Sequence, residues 1–343
     1  MACKSWHVQD SDIFDMTPHW QTAGSLQSVL VTGANGFIGA PLLTVLRESG
    51  RYLAKGVVRH PGYLDAESLV VPSIDGSTDW QLVIGGIDAV IHLAARVHVM
   101  KDHVADPMAE FLKVNVEGTL ALARQAADAG VKRFVFLSSI KVNGEQTQTG
   151  QRYAPNDTPK PSDPYGISKC EAEKGLRRIA EETGMEVVII RPVLVYGPGV
   201  KGNFLSMMRW LHKGIPLPLG AINNARSLVA LDNLIDLIIT CLHHPAAANQ
   251  TFLVSDGEDI STTELLKRTA SAMGAKTRLI PVPASIIQNG ARLLGKRDIG
   301  QRLCGSLQVD ISKTRELLGW APLITTEQAL EQTVKYFLQN QLR

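Results

Sequence analysis

The chain has 343 residues with 45% hydrophobic content, enough to bury a full core in one large or two coupled domains. Its 35 basic and 33 acidic residues leave a formal charge of +2 without blocks, so nothing resembles the basic footprint of a nucleic-acid binder. Cys3, Cys170, Cys241 and Cys304 lack disulfide or metal-ligand spacing, and no apolar run reaches the roughly 18 residues of a membrane span, so a reducing, cytoplasmic setting is expected.

Residues 1–25 are polar and aperiodic and are expected to be an extension outside the core. From Ser28 to about Pro192, short runs rich in Val and Ile alternate with segments of helical period. That alternation predicts an α/β fold of the Rossmann type, a doubly wound parallel sheet covered by helices. Strands are expected near 28–32, 53–58, 69–74, 87–93, 133–138 and 186–191, with helices over 107–129 and from Tyr165. Residues 26–192 then form the first domain. Residues 193–343 read mainly as a smaller C-terminal lobe leaning over the carboxyl edge of the sheet, with some segments returning to it. Two helices announce themselves there by capping boxes, Ser261 with Glu264 and Thr325 with Gln328.

Directly after the strand Val29–Thr32 comes Gly33-Ala34-Asn35-Gly36-Phe37-Ile38-Gly39, opening a helix. Glycine lets a turn be tight and lets the backbone and the helix N-terminus approach a pyrophosphate. An ordinary glycine-rich turn is the bland alternative; the strand before and helix after favour dinucleotide binding, NAD(P). At the end of the second strand an acid would bind the ribose of NAD, whereas this chain has Arg59, which suits the extra phosphate of NADP. A solvated surface arginine is the competing reading of Arg59.

Tyr165-Gly-Ile-Ser-Lys169 places a phenol and an ammonium on one helical face. A positive neighbour is expected to lower the phenol pKa toward the range of an acid–base catalyst. Tyr-x-x-x-Lys alone proves little, but Ser138-Ser139 precedes it, Asn115 lies on the helix before, and Arg191-Pro192 ends the strand after. With its GxxGxxG turn, this order resembles the extended short-chain dehydrogenase/reductase superfamily, the NAD-dependent epimerase/dehydratase family, over residues 28–338.

The resemblance implies that Tyr165 exchanges a proton with the substrate oxygen while the cofactor exchanges a hydride with carbon. Lys169 would also hold the nicotinamide ribose, Ser139 would polarise the substrate oxygen, and Asn115 would complete the catalytic group. Ser138 and Pro192 would lie nearer the nicotinamide, Asp75 at the adenine, and Leu93, Ala94 and Ala95 along the cofactor. For the serines, strand-end hydrogen bonding to backbone is the alternative. The chain departs from the family pattern at Asn143, usually Tyr, and at Ile140 and Lys141, usually small, which puts the shape around the sugar in question. Asn203 and Arg226 match places that contact a nucleotide diphosphate, and an arginine fork suits phosphate oxygens. Arg297 and Arg302 could supply a second fork, although solvated charges are the first expectation, and Asp232 is read as capping or orienting the helix that follows.

Arg59 favours NADP(H) over NAD(H) and hence reduction, and the stretches 138–145 and 191–199 resemble the subgroup that reduces a UDP-4-keto-6-deoxy-HexNAc for surface polysaccharide (O-antigen, lipopolysaccharide), so that reaction is preferred. UDP-glucose or UDP-GlcNAc 4-epimerisation with tightly held NAD is the alternative, and a non-enzymatic dinucleotide sensor the remote one. The resemblance also implies a homodimer. His92, His98 and His103 lack partner ligands, so no metal is expected. Ile286–Leu294 is apolar on one side and could rest on a membrane surface, but core packing or lining of the substrate entrance is the preferred reading.

Overall fold

The computed structural model describes residues 26–60, 68–97, 106–148, 150–295 and 297–341. The N-terminal extension, His98 and His103 lie outside the described residues, as does the side chain of Arg297.

Six strands follow in chain order: β1 (Gln27–Thr32), β2 (Tyr52–Val58), β3 (Leu69–Val70), β4 (Ala89–His92), β5 (Arg133–Leu137) and β6 (Glu186–Pro192). β7 (Leu194–Tyr196), β8 (Arg226–Ala230), β9 (Thr251–Val254) and β10 (Asp259–Ile260) come later. The main sheet is parallel with the order β3-β2-β1-β4-β5-β6-β9, and a second sheet has the order β10-β8-β7. Strand order reverses between β1 and β4, the place where open α/β sheets leave a crevice at their carboxyl ends.

The helices are α1 (Gly39–Glu48), α2 (Gln81–Ile84), α3 (Pro107–Leu112), α4 (Thr119–Asp128), α5 (Pro164–Thr183) and α6 (Gly202–His212). α7 (Leu231–His243), α8 (Thr262–Ala272), α9 (Ala284–Leu293), α10 (Arg297–Cys304), α11 (Ser312–Leu318) and α12 (Thr326–Gln341) complete the set.

Alternation within the strands sorts the core into two layers. Val29 and Val31, Ala89 and Ile91, and Val188 and Ile190 face a cluster closed by Leu42 and Leu46 of α1 and Leu234 and Ile238 of α7. Leu30, Val90, Phe134 and Phe136 face the other cluster, closed by Leu122 of α4, Leu176 of α5 and Trp80. Both faces are covered, so the strands read as continuous apolar runs. Each fully buried aliphatic side chain contributes about 1.5–3 kcal/mol, and this anchors the strand ends on which the site stands.

Several expectations need correction. β3 is two residues long where six were expected: Val71 N still donates to Val58 O, but β2 itself ends at Val58 and offers no further partner. The expected helix over 107–129 is three pieces: α3, a π-helical turn at Lys113–Gly118, and α4. The Ser261 hydroxyl accepts from Glu264 N, but the Glu264 carboxylate binds Arg268 instead of reaching back. Thr325 and Gln328 form the reciprocal box. Asp232 does not cap α7 with its side chain; Ala230 is the cap, and its N–H donates to Asp256, which also receives Asn233 and the Tyr196 hydroxyl.

Candidate active site

The glycine turn joins β1 to α1, and its residues fit a dinucleotide pyrophosphate. Gly33 has φ +69°, and a side-chain carbon there would lie 2.9 Å from Ala94 N, so only glycine permits this approach of β1 and β4. A Cβ on Gly39 would collide with the Gly33 carbonyl oxygen. Gly36 N donates to that oxygen at 2.9 Å, which closes the turn, while no side chain caps α1. The helix N-terminus thus presents N–H groups at a backbone surface free of side-chain bulk. Asn35 and Gly36 are exposed; Phe37 and Ile38 pack half-buried on the core. Ala34 N reaches Val57 O at 3.3 Å, tying the turn to the end of β2, where exposed Arg59 follows.

Beneath the turn runs a buried chain of polar contacts. Thr32 Oγ1 accepts from Ala94 N at 3.2 Å and meets His92 Nδ1 at 2.7 Å, and His92 Nε2 meets Thr119 Oγ1 at 3.0 Å. Burial pushes the His92 pKa down to about 3, so the ring stays neutral and links strands to α4. Both ring nitrogens are thus engaged with threonine hydroxyls. Leu93, Ala94 and Ala95 follow it, half-buried, against Gly33.

Asn115 sits in the π turn, fully buried. Its Oδ1 accepts from Arg96 N at 2.7 Å, and its Nδ2 donates to Arg96 O at 3.0 Å and to Ser168 Oγ at 2.9 Å. The Ser168 hydroxyl donates to Tyr165 O at 2.8 Å. The π turn widens the helix where Asn115 must reach both the loop after β4 and the start of α5, a recurrent use of such bulges.

α5 begins sharply because Asp163 caps it, accepting from Gly166 N at 2.7 Å, with Pro164 in the first turn. Tyr165 is half-buried, with the Ser139 side chain beside its phenol. One turn on, buried Lys169 donates through Nζ to Leu137 O at 2.8 Å and lies 4.4 Å from the Phe136 ring centroid. Its Nζ is 6.0 Å from the Tyr165 ring centroid. The expected lowering of the phenol pKa is not found. Burial, then the Asp163 charge, pushes Tyr165 up to about 12 against the smaller opposing effect of the Ser139 side chain, while burial brings Lys169 down to about 7.

The two serines part company. Ser139 faces Tyr165, whereas buried Ser138 donates to Glu173 Oε1 at 2.6 Å. Arg191 grips the same carboxylate with a bidentate fork, 2.8 and 2.6 Å, and donates to Asn143 Oδ1 at 2.9 Å. Asn143 Nδ2 donates to Ala154 O at 2.9 Å. Asn143, one of the three departures from the family pattern, is therefore a buried strut. Pro192 is buried at the end of β6, paired with Val254 of β9.

Asp75 folds into a local turn, its Oδ1 accepting from Ser77 N and Oγ, contacts that hold its carboxyl below the usual range. Asn203 is exposed in the first turn of α6. Arg226 Nη1 donates to Arg302 O at 2.9 Å and Gly305 O at 3.2 Å, with the Arg302 charge beside it. Those carbonyls end α10, so the arginine is held by a helix C-terminus. Of the α9 segment, Ala284 and Ile287 pack on the core while Ile286, Leu293 and Leu294 are exposed. Among the described residues no metal-ligating cluster occurs and no helix is long and apolar enough to cross a membrane.

The sheet, glycine turn and Tyr–Lys helix together define an extended short-chain dehydrogenase/reductase. Residues 29–255 match the NAD dependent epimerase/dehydratase family, and the chain belongs to it. It is 50% identical over 315 residues to a UDP-glucose 4-epimerase of Vibrio cholerae, covering 91% of this chain and 96% of that one. MoeE5, solved with UDP-glucuronic acid and NAD, superposes with TM-score 0.73 at 25% identity, over 91% of this chain and 99% of that one. A UDP-glucose 4-epimerase from Thermotoga maritima, solved with UDP-glucose, has TM-score 0.73 at 23% identity over 92% and 100%.

Proposed function

We propose that the chain is an NAD(P)-dependent oxidoreductase acting at C4 of a UDP-sugar, reducing a UDP-4-keto-6-deoxy-HexNAc for surface polysaccharide. The observation that carries this reading is the Tyr165 phenol placed beside the Ser139 side chain, on a helix that also buries Lys169. When bound, the dinucleotide exchanges hydride with the sugar carbon. Tyr165 gives its proton to the sugar oxygen, and Ser139 donates to that oxygen and orients it. Lys169 holds the ribose hydroxyls, and Asn115 fixes the start of α5. Arg59 just after β2, with no acid in that strand, suits NADPH and so favours reduction.

The glycine turn receives the pyrophosphate, Arg59 the ribose phosphate of NADP, and Asp75 the adenine end. Arg226 with Arg302 and Asn203 take the UDP diphosphate; two adjacent cations suit two phosphates. The relatives support a UDP-sugar, since MoeE5 binds one together with NAD. The name of the 50% identical relative favours a second reading, 4-epimerisation of UDP-glucose or UDP-GlcNAc with NAD retained through the cycle.

The separating experiment denatures the purified protein, identifies any released dinucleotide, and then follows NADPH consumption with a UDP-4-keto-6-deoxy sugar. Little retained NAD and rapid NADPH consumption are expected. Stoichiometric NAD with interconversion of UDP-glucose and UDP-galactose would establish the epimerase instead.

A further inference from the structure

Lys141 lies two residues beyond Ser139, in the short helical turn that Ser139 caps, and is tied into the site three ways. Its ammonium forms an ion pair with Asp163 and reaches Glu145 at 3.8 Å. Its N–H donates to Ser139 Oγ at 3.3 Å. Its carbonyl oxygen lies 2.9 Å from where a Cβ on Gly166 would stand, so the main chain at Lys141 packs directly on the first turn of α5.

Asp163 has two jobs that conflict. Its Oδ1 caps α5 and thereby fixes where Tyr165 points. Its negative charge, two residues from the phenol, opposes formation of phenolate. Removing the capping oxygen would release the helix start, whereas leaving the charge unbalanced would make the phenol a poor proton exchanger. The Lys141 ammonium on Oδ2 balances the charge and leaves Oδ1 to the cap. Both side chains are about one-fifth exposed, so solvent screens the pair only in part.

Other charges surround the phenol. Lys169 lies on its own helix, and Glu145 follows the turn that carries Lys141. Arg96, in the loop after β4, stands 5.7 Å from the Phe111 ring, which meets the Tyr165 ring edge-on at 6.3 Å. α3 and the π turn, packed on α5, carry Glu110, Lys113 and Glu117. Among these, Lys141 is the cation in ionic contact with the Asp163 cap.

We infer that Lys141 is a positioning residue: by neutralising the Asp163 carboxylate at the start of α5, it sets the proton affinity of the Tyr165 phenol. The inference rests on Tyr165 being the acid–base group, and its test keeps the two failures apart. The pH profile of kcat/KM is measured on the full chain with saturating cofactor for the wild type, Lys141→Met, Lys141→Arg, Asp163→Asn and the double variant. Asn caps helices about as well as Asp, so Asp163→Asn removes charge and keeps the cap.

In Lys141→Met the alkaline limb moves up by about half to one pH unit. Asp163→Asn moves it down by a similar amount, Lys141→Arg leaves it in place, and the double variant returns close to wild type. Circular dichroism establishes that each variant is folded; should Lys141→Met fail to fold, Lys141→Gln takes its place. A limb unmoved in both single variants, or moved and not restored in the double, overturns the inference while leaving the proposed chemistry intact. Full turnover by Tyr165→Phe in the same series overturns the proposed chemistry, and the inference with it.

Discussion

Asn115 Nδ2 donates to Ser168 Oγ across 2.9 Å, in the buried space between the π turn and α5. The same amide holds both backbone groups of Arg96, so one side chain locks the loop beside the glycine turn to the helix that carries Tyr165. Replacing it by alanine strips three hydrogen bonds and leaves buried partners unsatisfied. Asn115→Ala is therefore expected to lose about 2–4 kcal/mol in urea denaturation, with kcat falling at least tenfold. Unchanged stability and turnover would show that the lock is dispensable.

Arg59 stands exposed just beyond β2, whose end is bonded to the glycine turn, and no acid precedes it in the strand. In Arg59→Ala the KM for NADPH is expected to rise about tenfold, equivalent to about 1.4 kcal/mol, with the KM for NADH nearly unchanged. Steady-state kinetics with both cofactors tests this. An equal effect on the two would remove Arg59 from the ribose phosphate.

His92 gives the fold a specific acid sensitivity. Its folded pKa of about 3 lies below the roughly 6.5 of an unfolded histidine, so between those values the unfolded chain binds a proton that the folded chain refuses. Stability therefore rises with pH across that window and is lost as pH falls from about 6.5 toward 3, by an amount on the order of a few kcal/mol. His92→Gln cannot take up that proton, and its urea midpoint is expected to fall less steeply with acid than the wild type's. Parallel slopes would rule out His92 as the source.

Much of this architecture was legible because local signals agreed with one another. β1, β2, β5 and β6 fell within a residue or two of their expected places, since strands buried on both faces leave continuous apolar runs. Gly33 and Gly39 could be read because the backbone approach they permit admits no side chain. What escaped reading depends on long-range pairing. β9 joins the main sheet beside β6 through a short apolar stretch that local pattern does not distinguish from lobe structure. Glu173 looks like an ordinary helix-surface acid, yet it is buried under Arg191 and Ser138. Its place one turn after Lys169, on the same helical face, was the available signal. Asp163 before Pro164 was a readable cap, and its charge adds to the burial that drives the Tyr165 pKa opposite to the expectation from Lys169 alone. Arg302 could not be ranked above solvated surface charges until the fold placed it beside Arg226.

The most direct measurement is turnover of Tyr165→Phe alongside its dinucleotide affinity. Phenylalanine keeps the ring and its edge-on contact with Phe111 but has no proton to give. The predicted result is a loss of kcat by about a hundredfold or more, with the Kd for NADPH within a few fold of wild type. A variant that binds the cofactor and still turns over at the wild-type rate would contradict the account.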